Sequence, residues 1–199
     1  MRLHIPSILF AFTIAGCTND SGFSPSPSQS FILPLAEGNS WIYVRTGIDS
    51  SGATVDSSVF MMAVGQPDTF GTEKAYPVSN FRFEFEGTNL FLRVHGSDGL
   101  YNVKPRSNPD APIFIHVLPF PTMIGDSLLY SGYVIRTGSA NESVTVPAGS
   151  FTCIRYGISE NGIIVGQTFV AANIGIVKFW QRYFGLLRQE DKLRSYYLN

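Results

Sequence analysis

Residues 151–171 read FTCIRYGISENGIIVGQTFVA, and this stretch predicts a β-hairpin. Two apolar, β-branched runs, Phe151 to Ser159 and Ile163 to Ala171, flank the pair Asn161-Gly162. Asn-Gly is the strongest short hairpin signal, because both central positions of a type I′ turn need positive φ angles. The stretch therefore predicts two antiparallel strands joined by a tight turn.

Strand patterns of the same kind continue towards the N-terminus. Phe81-Arg82-Phe83-Glu84-Phe85-Glu86 alternates strictly, so three Phe side chains face one side and three charged side chains the other. Trp41 to Arg45 has the aromatic and β-branched composition of a strand. Tyr133 to Thr137 and Glu142 to Val146 are predicted as two further strands, separated by a loop at 138–141.

The spacing of these runs predicts an all-β fold with few or no helices. A short helix is expected at most over Met123 to Tyr130, because no sustained helical period occurs elsewhere. Roughly eleven to thirteen strands joined by short turns indicate one antiparallel meander sheet. Such a sheet must curve strongly to cover its own apolar face, so we expect an open half-barrel.

Composition limits the classes of partner. The chain has 199 residues with 15% charged and 14% aromatic side chains, which is typical of a β-rich protein rather than a helical one. Without residues 1–16, which contain Arg2, 13 of the 14 Lys and Arg residues remain against 15 Asp and Glu, so the formal net charge changes from −1 to −2. A charge this close to neutral gives no indication of a nucleic-acid partner.

The N-terminus has the features of a targeting signal. Arg2 precedes an apolar run from Ile5 to Ala15, which is too short to span a bilayer at about 20 residues. Ile14-Ala15-Gly16-Cys17 then resembles the lipobox of bacterial lipoproteins. The resemblance implies that residues 1–16 are removed and that Cys17 becomes an acylated, membrane-anchored N-terminus. The alternative is an ordinary secretory signal followed by a chance cysteine.

Three segments follow from this interpretation: a signal peptide at 1–16, a lipidated cysteine with a Ser/Pro tether at 17–30, and a single β-domain at 31–199. The tether has too little apolar surface to fold, and its prolines keep it extended. Thr18 after the cysteine resembles the pattern for outer-membrane delivery, so we expect a location on the outer membrane, facing the periplasm or the cell surface. If Cys17 carries lipid, Cys153 has no intramolecular disulfide partner.

Catalytic and metal-binding motifs are absent from the sequence. His95, Ser97 and Asp98 are the residue types of a catalytic triad, but their crowding at one predicted turn favours a turn-stabilising role. His95 and His116 lack the spacing of metal ligands. Cys153 is interpreted as a buried structural cysteine rather than a reactive thiol. We therefore expect no enzyme activity, with a hydrolase as the remaining alternative, and no cofactor or metal.

Several short motifs resemble a group of uncharacterised bacterial lipoproteins. They occur in the same order and span most of residues 31–199: Leu33-Pro34-Leu35 with Gly38, Trp41-Ile42-Tyr43, Val146 to Phe151 with Cys153, Gly175-Ile176-Val177, and Leu193 to Leu198. Proteins of this group resemble the periplasmic LolA/LolB fold, an incurved antiparallel sheet or half-barrel whose apolar concavity carries lipoprotein acyl chains. The resemblance implies the fold and a lipid-handling role, but it transfers no functional residue.

Two classes of function remain open, and the first is preferred because the resemblance is to a lipid-handling fold. In the first, a concave aromatic face binds a lipid or another apolar ligand, with a lining drawn from six residues: Trp41, Tyr43, Phe81, Phe83, Phe85 and Trp180. In the second, these residues are plain core, and the protein is a structural or interaction module of an envelope assembly without a small-molecule ligand. The expected partners are the membrane, through the anchor, and a lipid or an envelope protein.

The C-terminal strands carry a group of basic residues, namely Lys178, Arg182, Arg188, Lys192 and Arg194. They could face anionic lipid headgroups. The preferred interpretation is a solvated strand face whose charge is offset by Glu190 and Asp191.

The anchor prediction is tested by replacing the cysteine. Each buried acyl methylene contributes about 0.8 kcal/mol to membrane affinity, so several chains hold a lipoprotein permanently. Cys17→Ala should therefore abolish labelling with radioactive palmitate. Equal labelling of wild type and variant would show that Cys17 is not acylated.

Overall fold

The computed structural model describes residues 31–70, 73–81, 89–95, 98–104, 113–183 and 187–199. In these ranges the chain forms thirteen β-strands and no helix. The predicted signal peptide, Cys17, the tether, and Phe83 and Phe85 lie outside the described residues, so those interpretations remain predictions.

The strands cover most of the described chain. In order they are β1 Ser40–Ile48, β2 Thr54–Val64, β3 Asp68–Phe70, β4 Glu73–Ser79, β5 Asn89–His95, β6 Gly99–Lys104, β7 Ile113–Pro119, β8 Ser127–Tyr130, β9 Tyr133–Val146, β10 Gly149–Glu160, β11 Ile163–Ala171, β12 Gly175–Tyr183 and β13 Leu187–Tyr197.

One antiparallel sheet contains these strands in the order β7-β6-β5-β4-β2-β1-β13-β12-β11-β10-β9-β8, with β3 attached to β4. Two meanders therefore leave a central seam, one running from β1 to β7 and the other from β13 back to β8. At the seam the first and last strands pair from Ser40↔Tyr197 to Ile48↔Arg188. Among the described residues no ladder joins β7 to β8, so the sheet is open.

The sheet curves strongly enough for distant strands to touch across its inner side. The Trp41 indole on β1 donates to the carbonyl of Ile174, between β11 and β12, at 2.6 Å. The Ala148 amide, in the β9–β10 turn, donates to the carbonyl of Leu193 on β13 at 3.1 Å. The predicted all-β, strongly curved and open antiparallel sheet is confirmed.

Two local predictions are wrong. Residues 123–130 do not form a helix: Asp126 accepts the amide of Met123 in a turn, and Ser127–Tyr130 is strand β8. The predicted loop at 138–141 lies inside β9, which is one continuous strand of 14 residues. Its pairing with β10 is irregular around Arg155, so the polar residues of 138–141 mark an irregular stretch of ladder rather than a loop.

The chain segment before β1 closes one end of the core. Ile32 and Leu33 are buried, and the backbone of Phe31 exchanges hydrogen bonds with Asn173. Gly175 makes this packing possible, because a Cβ there would lie 2.7 Å from Leu33 Cδ1 and its φ of +104° disfavours any other residue. The C-terminal Asn199 amide donates to the buried side chain of Asn39, which holds both chain ends together.

A single large apolar cluster fills the curve of the sheet. It draws on strands from both meanders, including Trp41 on β1, Leu118 on β7, Tyr156 on β10 and Leu193 on β13, each of them fully buried. The Tyr156 hydroxyl donates to the carbonyl of Pro119 at 2.8 Å and so satisfies its polar group inside the core. Core packing therefore joins the two meanders as well as the ladder at the seam.

The predicted Asn-Gly hairpin is confirmed. Asn161 and Gly162 have φ angles of 50° and 79°, and Glu160 pairs with Ile163 on either side of them. Both positions are in the left-handed region that a type I′ turn requires.

Gly162→Ala should lower the denaturant midpoint, because a side chain at this positive φ costs about 1 kcal/mol or more. Gly157→Ala, in the adjoining strand, is the matched control. Its Cβ would meet only the Arg136 carbonyl oxygen at an ordinary 3.8 Å. Equal denaturant midpoints for the two variants would contradict a strained turn position.

Candidate functional site

The inner face of β1 forms the aromatic centre of the molecule. Trp41 and Tyr43 are 0% and 3% exposed. The Tyr43 hydroxyl donates to the carbonyl of Ile176 on β12 at 2.8 Å, and its ring stacks on Phe60 of β2 with centroids 5.2 Å apart. Burial, and then the nearby Asp191 carboxylate, raise the pKa of Tyr43, so the phenol stays neutral. These aromatic rings are bonded and packed rather than open to a ligand.

An ion pair lies next to these rings on the same face. The Arg45 guanidinium donates to both carboxylate oxygens of Asp191, each at 2.8 Å, and the Asp191 side chain is 3% exposed. The guanidinium also lies over the Phe60 ring, 4.3 Å from its centroid. A bidentate pair of this kind compensates the cost of burying both charges at the seam.

A small cavity remains between the aromatic rings and the ion pair. Its volume is about 20 Å³, and it is lined by seven residues: Tyr43, Phe60, Met62, Asn80, Ile176, Phe179 and Asp191. A single water molecule needs roughly 10–15 Å³ of such space, so the cavity could hold one water molecule but no acyl chain. At this point the interior is filled by its own side chains.

The structure brings together only part of the predicted aromatic lining. Trp41, Tyr43 and Phe81 belong to the buried core, whereas Phe83 and Phe85 lie outside the described residues. Trp180 follows the buried Phe179 on β12, so its side chain leaves the sheet on the opposite face. The six residues therefore do not form one lining among the described side chains. No local sequence signal separated Trp180 from the other residues, because the face that it occupies depends on the register of β12 with β13.

Trp180 lies in a charged cluster on the outer face. Its indole donates to Gln167 Oε1 at 3.0 Å, and the Arg188 guanidinium lies over the ring, 4.8 Å from the centroid. The Glu190 carboxylate accepts Lys178 Nζ at 2.7 Å and Lys192 Nζ at 3.0 Å. Burial alone would raise the pKa of Glu190, but the hydrogen bonds from the two lysines outweigh it, and the pKa lies below its ordinary value. Glu190 is thus a carboxylate at neutral pH.

A surface groove of about 310 Å³ opens at the end of the sheet where the N-terminal segment enters the domain. Its apolar walls include Phe31, Leu35 and Tyr76. Its polar lining includes Lys74 and Asn199. This volume is within the range of small-molecule sites, although the mixed lining is more polar than is usual for them. Sequence periodicity could not predict this groove, because its walls come from the segment before β1, from β4 and from Asn199.

The candidate chemical groups have structural partners. The His116 ring stacks on Tyr101 with centroids 4.4 Å apart, and its Nε2 lies 3.2 Å from the Leu118 carbonyl oxygen. Asp98 accepts the Tyr101 hydroxyl at 2.9 Å. The His95 side chain and Ser97 lie outside the described part of the chain. Burial, with a smaller effect of Glu142, raises the pKa of Cys153 to about 11, so this thiol is protonated and a poor nucleophile.

Over the described ranges, His, Cys, Asp and Glu side chains form no group of three or more that could hold a metal ion. No helix in those ranges is long and apolar enough to cross a membrane.

In the part of the chain that the structure describes, the fold is a single antiparallel sheet whose inner face is packed at β1, with a surface groove and a basic outer face. No family model matches the chain. No curated protein matches it either. The LolA/LolB resemblance therefore stays a prediction.

Two solved structures are similar to the chain. One is a predicted lipoprotein from Parabacteroides distasonis ATCC 8503, with a TM-score of 0.44 and 17% sequence identity. The alignment covers 84% of this chain and 99% of the Parabacteroides chain. The other is a predicted exported protein with a YmcC-like fold from Bacteroides fragilis NCTC 9343, with a TM-score of 0.39 and 16% sequence identity. The alignment covers 85% of this chain and 100% of the Bacteroides chain. Neither similarity is close enough to transfer a function, so the proposals below rest on the chain's own residues.

The two tryptophans should differ in their contribution to stability. Trp41→Ala removes a fully buried ring and a hydrogen bond, and we expect it to lower the free energy of unfolding by about 3–5 kcal/mol. Trp180→Ala should cost clearly less, because its ring is only half-buried on the outer face. Urea titrations followed by circular dichroism measure both losses. A Trp41 variant no less stable than the Trp180 variant would contradict a filled interior.

Proposed function

We propose that this chain is an envelope lipoprotein whose β-domain is an interaction module, held to a membrane by acylated Cys17 and working through its surface. The anchor is supported by the lipobox-like Ile14-Ala15-Gly16-Cys17 and by the Ser/Pro composition of the residues that follow. Outer-membrane delivery is part of the proposal and is supported by Thr18. The proposal includes no catalysis, cofactor or nucleic-acid partner.

The filled interior is the observation that carries this choice. A carrier of acyl chains needs an apolar cavity that is empty in the free protein. At the inner face of β1 the space is about 20 Å³, and the polar atoms of Trp41 and Tyr43 are hydrogen-bonded to the backbone carbonyls of Ile174 and Ile176. This favours the second of the two classes, an interaction module, over a carrier that holds lipid inside the sheet.

The tether determines how far the module can reach. Residues 18–30 span at most roughly 45 Å when fully extended, since each residue adds about 3.3–3.6 Å. Their prolines favour extended conformations over collapse. A domain on such a tether can meet partners at the membrane surface and just above it.

Binding of a small apolar ligand remains the second candidate, because of the groove. At about 310 Å³ it is large enough for part of an acyl chain, and Phe31, Leu35 and Tyr76 supply an apolar wall. The acyl-chain binding that the LolA/LolB resemblance implies would then occur at the end of the sheet rather than inside its curve.

Native mass spectrometry of the protein extracted from membranes separates the two candidates. For an interaction module we expect the covalent acyl chains at Cys17 and no further lipid in stoichiometric amount. We also expect N-phenyl-1-naphthylamine, an apolar fluorescent probe, to show no saturable binding.

A retained lipid would favour the groove candidate if Tyr76→Asp removes it. The matched control is Leu129→Asp, at an apolar side chain that is 73% exposed on β8 and away from the groove. A lipid that survives both substitutions would place the ligand elsewhere and contradict both candidates.

A further inference from the structure

We propose that the outer face of strands β2, β1, β13 and β12 docks on an anionic phospholipid surface. This basic–apolar face is defined by Val59 and Met61 on β2, Lys178 and Arg182 on β12, and Arg188 and Lys192 on β13. This inference goes beyond the proposed function because it names the surface that one side of the domain binds. From the proposed function it uses only the assumption that the domain is tethered to a membrane.

Strand register places these residues on one face. Val59 pairs with Val44, Val44 with Lys192, and Lys192 with Lys178, which forms one row across the four strands. Paired residues of antiparallel strands project to the same side of a sheet. Tyr43, next to Val44, is buried in the core, so this row faces outward.

The basic half of the face contains two like-charged pairs across the β12–β13 ladder. Lys178 lies opposite Lys192, and Arg182 lies opposite Arg188. Like charges directly across a ladder destabilise a sheet. Glu190 contacts Lys178, Lys192 and Arg188 at 2.7, 3.0 and 3.2 Å, but one carboxylate cannot neutralise four cations. The remaining positive charge would be stabilised by an anionic surface.

The apolar half lies beside these cations and is exposed. Val59 and Met61 on β2 are 56% and 52% exposed. Protein surfaces that insert into the headgroup layer of a membrane combine apolar and basic side chains. Their binding free energy has two contributions, burial of apolar area and electrostatic attraction to anionic lipids. Trp180, stacked under Arg188 in the basic half, is the residue type that favours a membrane interface.

A lipid surface fits this face better than an acidic protein does. The tether keeps the domain within roughly 45 Å of a membrane, which makes weak attraction to headgroups effective. A surface that combines charged and apolar side chains in this way needs no shaped partner. An acidic protein would match the cations, but it would not account for the two exposed apolar side chains, Val59 and Met61, in the same face.

Vesicle sedimentation tests the proposal on the mature chain, residues 17–199, with Cys17→Ala so that no acyl chain contributes. We expect binding to vesicles of phosphatidylcholine with phosphatidylglycerol to be at least about tenfold tighter than to phosphatidylcholine alone, and to weaken with added salt. Arg182→Glu combined with Arg188→Glu should reduce that binding at least about tenfold. Arg136→Glu combined with Met123→Glu and Ile124→Glu, an equal change of four charge units at exposed sites outside both the face and the groove, should leave most of that binding.

The apolar half is tested by Val59→Ser with Met61→Ser, which should weaken binding several-fold without changing its salt dependence. If a thermal melt shows that the Arg182→Glu, Arg188→Glu variant does not fold, the Val59→Ser, Met61→Ser variant alone tests whether this face binds the vesicles. Wild-type binding that shows no preference for anionic vesicles, or that equals the binding of the face variants, would overturn the proposal and point to an acidic protein partner. Since acylation is absent here, failure leaves the lipoprotein proposal intact, and palmitate labelling tests that proposal separately.

Discussion

The seam between β1 and β13 is the constraint on which the rest of the structure depends. The first and last strands of the domain meet there, so forming the seam closes a loop of nearly the whole described chain, and its entropic cost must be met by many contacts at once. Three kinds of contact supply them: the ladder itself, the Arg45–Asp191 ion pair, and the hydrogen bonds of Trp41 and Tyr43. These two side chains reach past β13 to the carbonyls of Ile174, before β12, and Ile176, on β12. The two bonds favour a curved sheet, because flattening it would separate β1 from β12.

Local signals were enough to predict the fold class. The Asn161-Gly162 turn and the alternation of apolar and polar residues depend only on neighbours in the sequence, and short turns in series require antiparallel strands. Predictions from these local signals were wrong where pairing between distant parts of the chain overrides local composition. The polar residues at 138–141 read as a loop because nothing local shows that β10 continues the ladder beside them. The order of strands at the seam lay beyond such signals for the same reason.

The predicted site shows the same limit more clearly. Aromatic composition placed Trp41, Tyr43 and Trp180 together, but the sequence does not state which face of its strand each residue occupies in the folded sheet. That face depends on register with β13, where Trp180 pairs with Glu190 and Tyr43 with Leu193. The groove could not be predicted from the sequence either, because its walls come together only after the seam between β1 and β13 has formed.

Two adjacent acids on β13 make that register unique. Asp191 points inward to Arg45, and Glu190 points outward to Lys178 and Lys192. A slip of one residue would turn every side chain of β13 to the other face, sending Lys192 into the core without a partner and Leu193 into solvent. The register is therefore secured by residues 190–193, while Arg188 has structural contacts of its own with Glu190 and the Trp180 ring. Arg182, directly opposite Arg188, adds a like-charge repulsion that this register does not need, and an anionic surface would offset that repulsion.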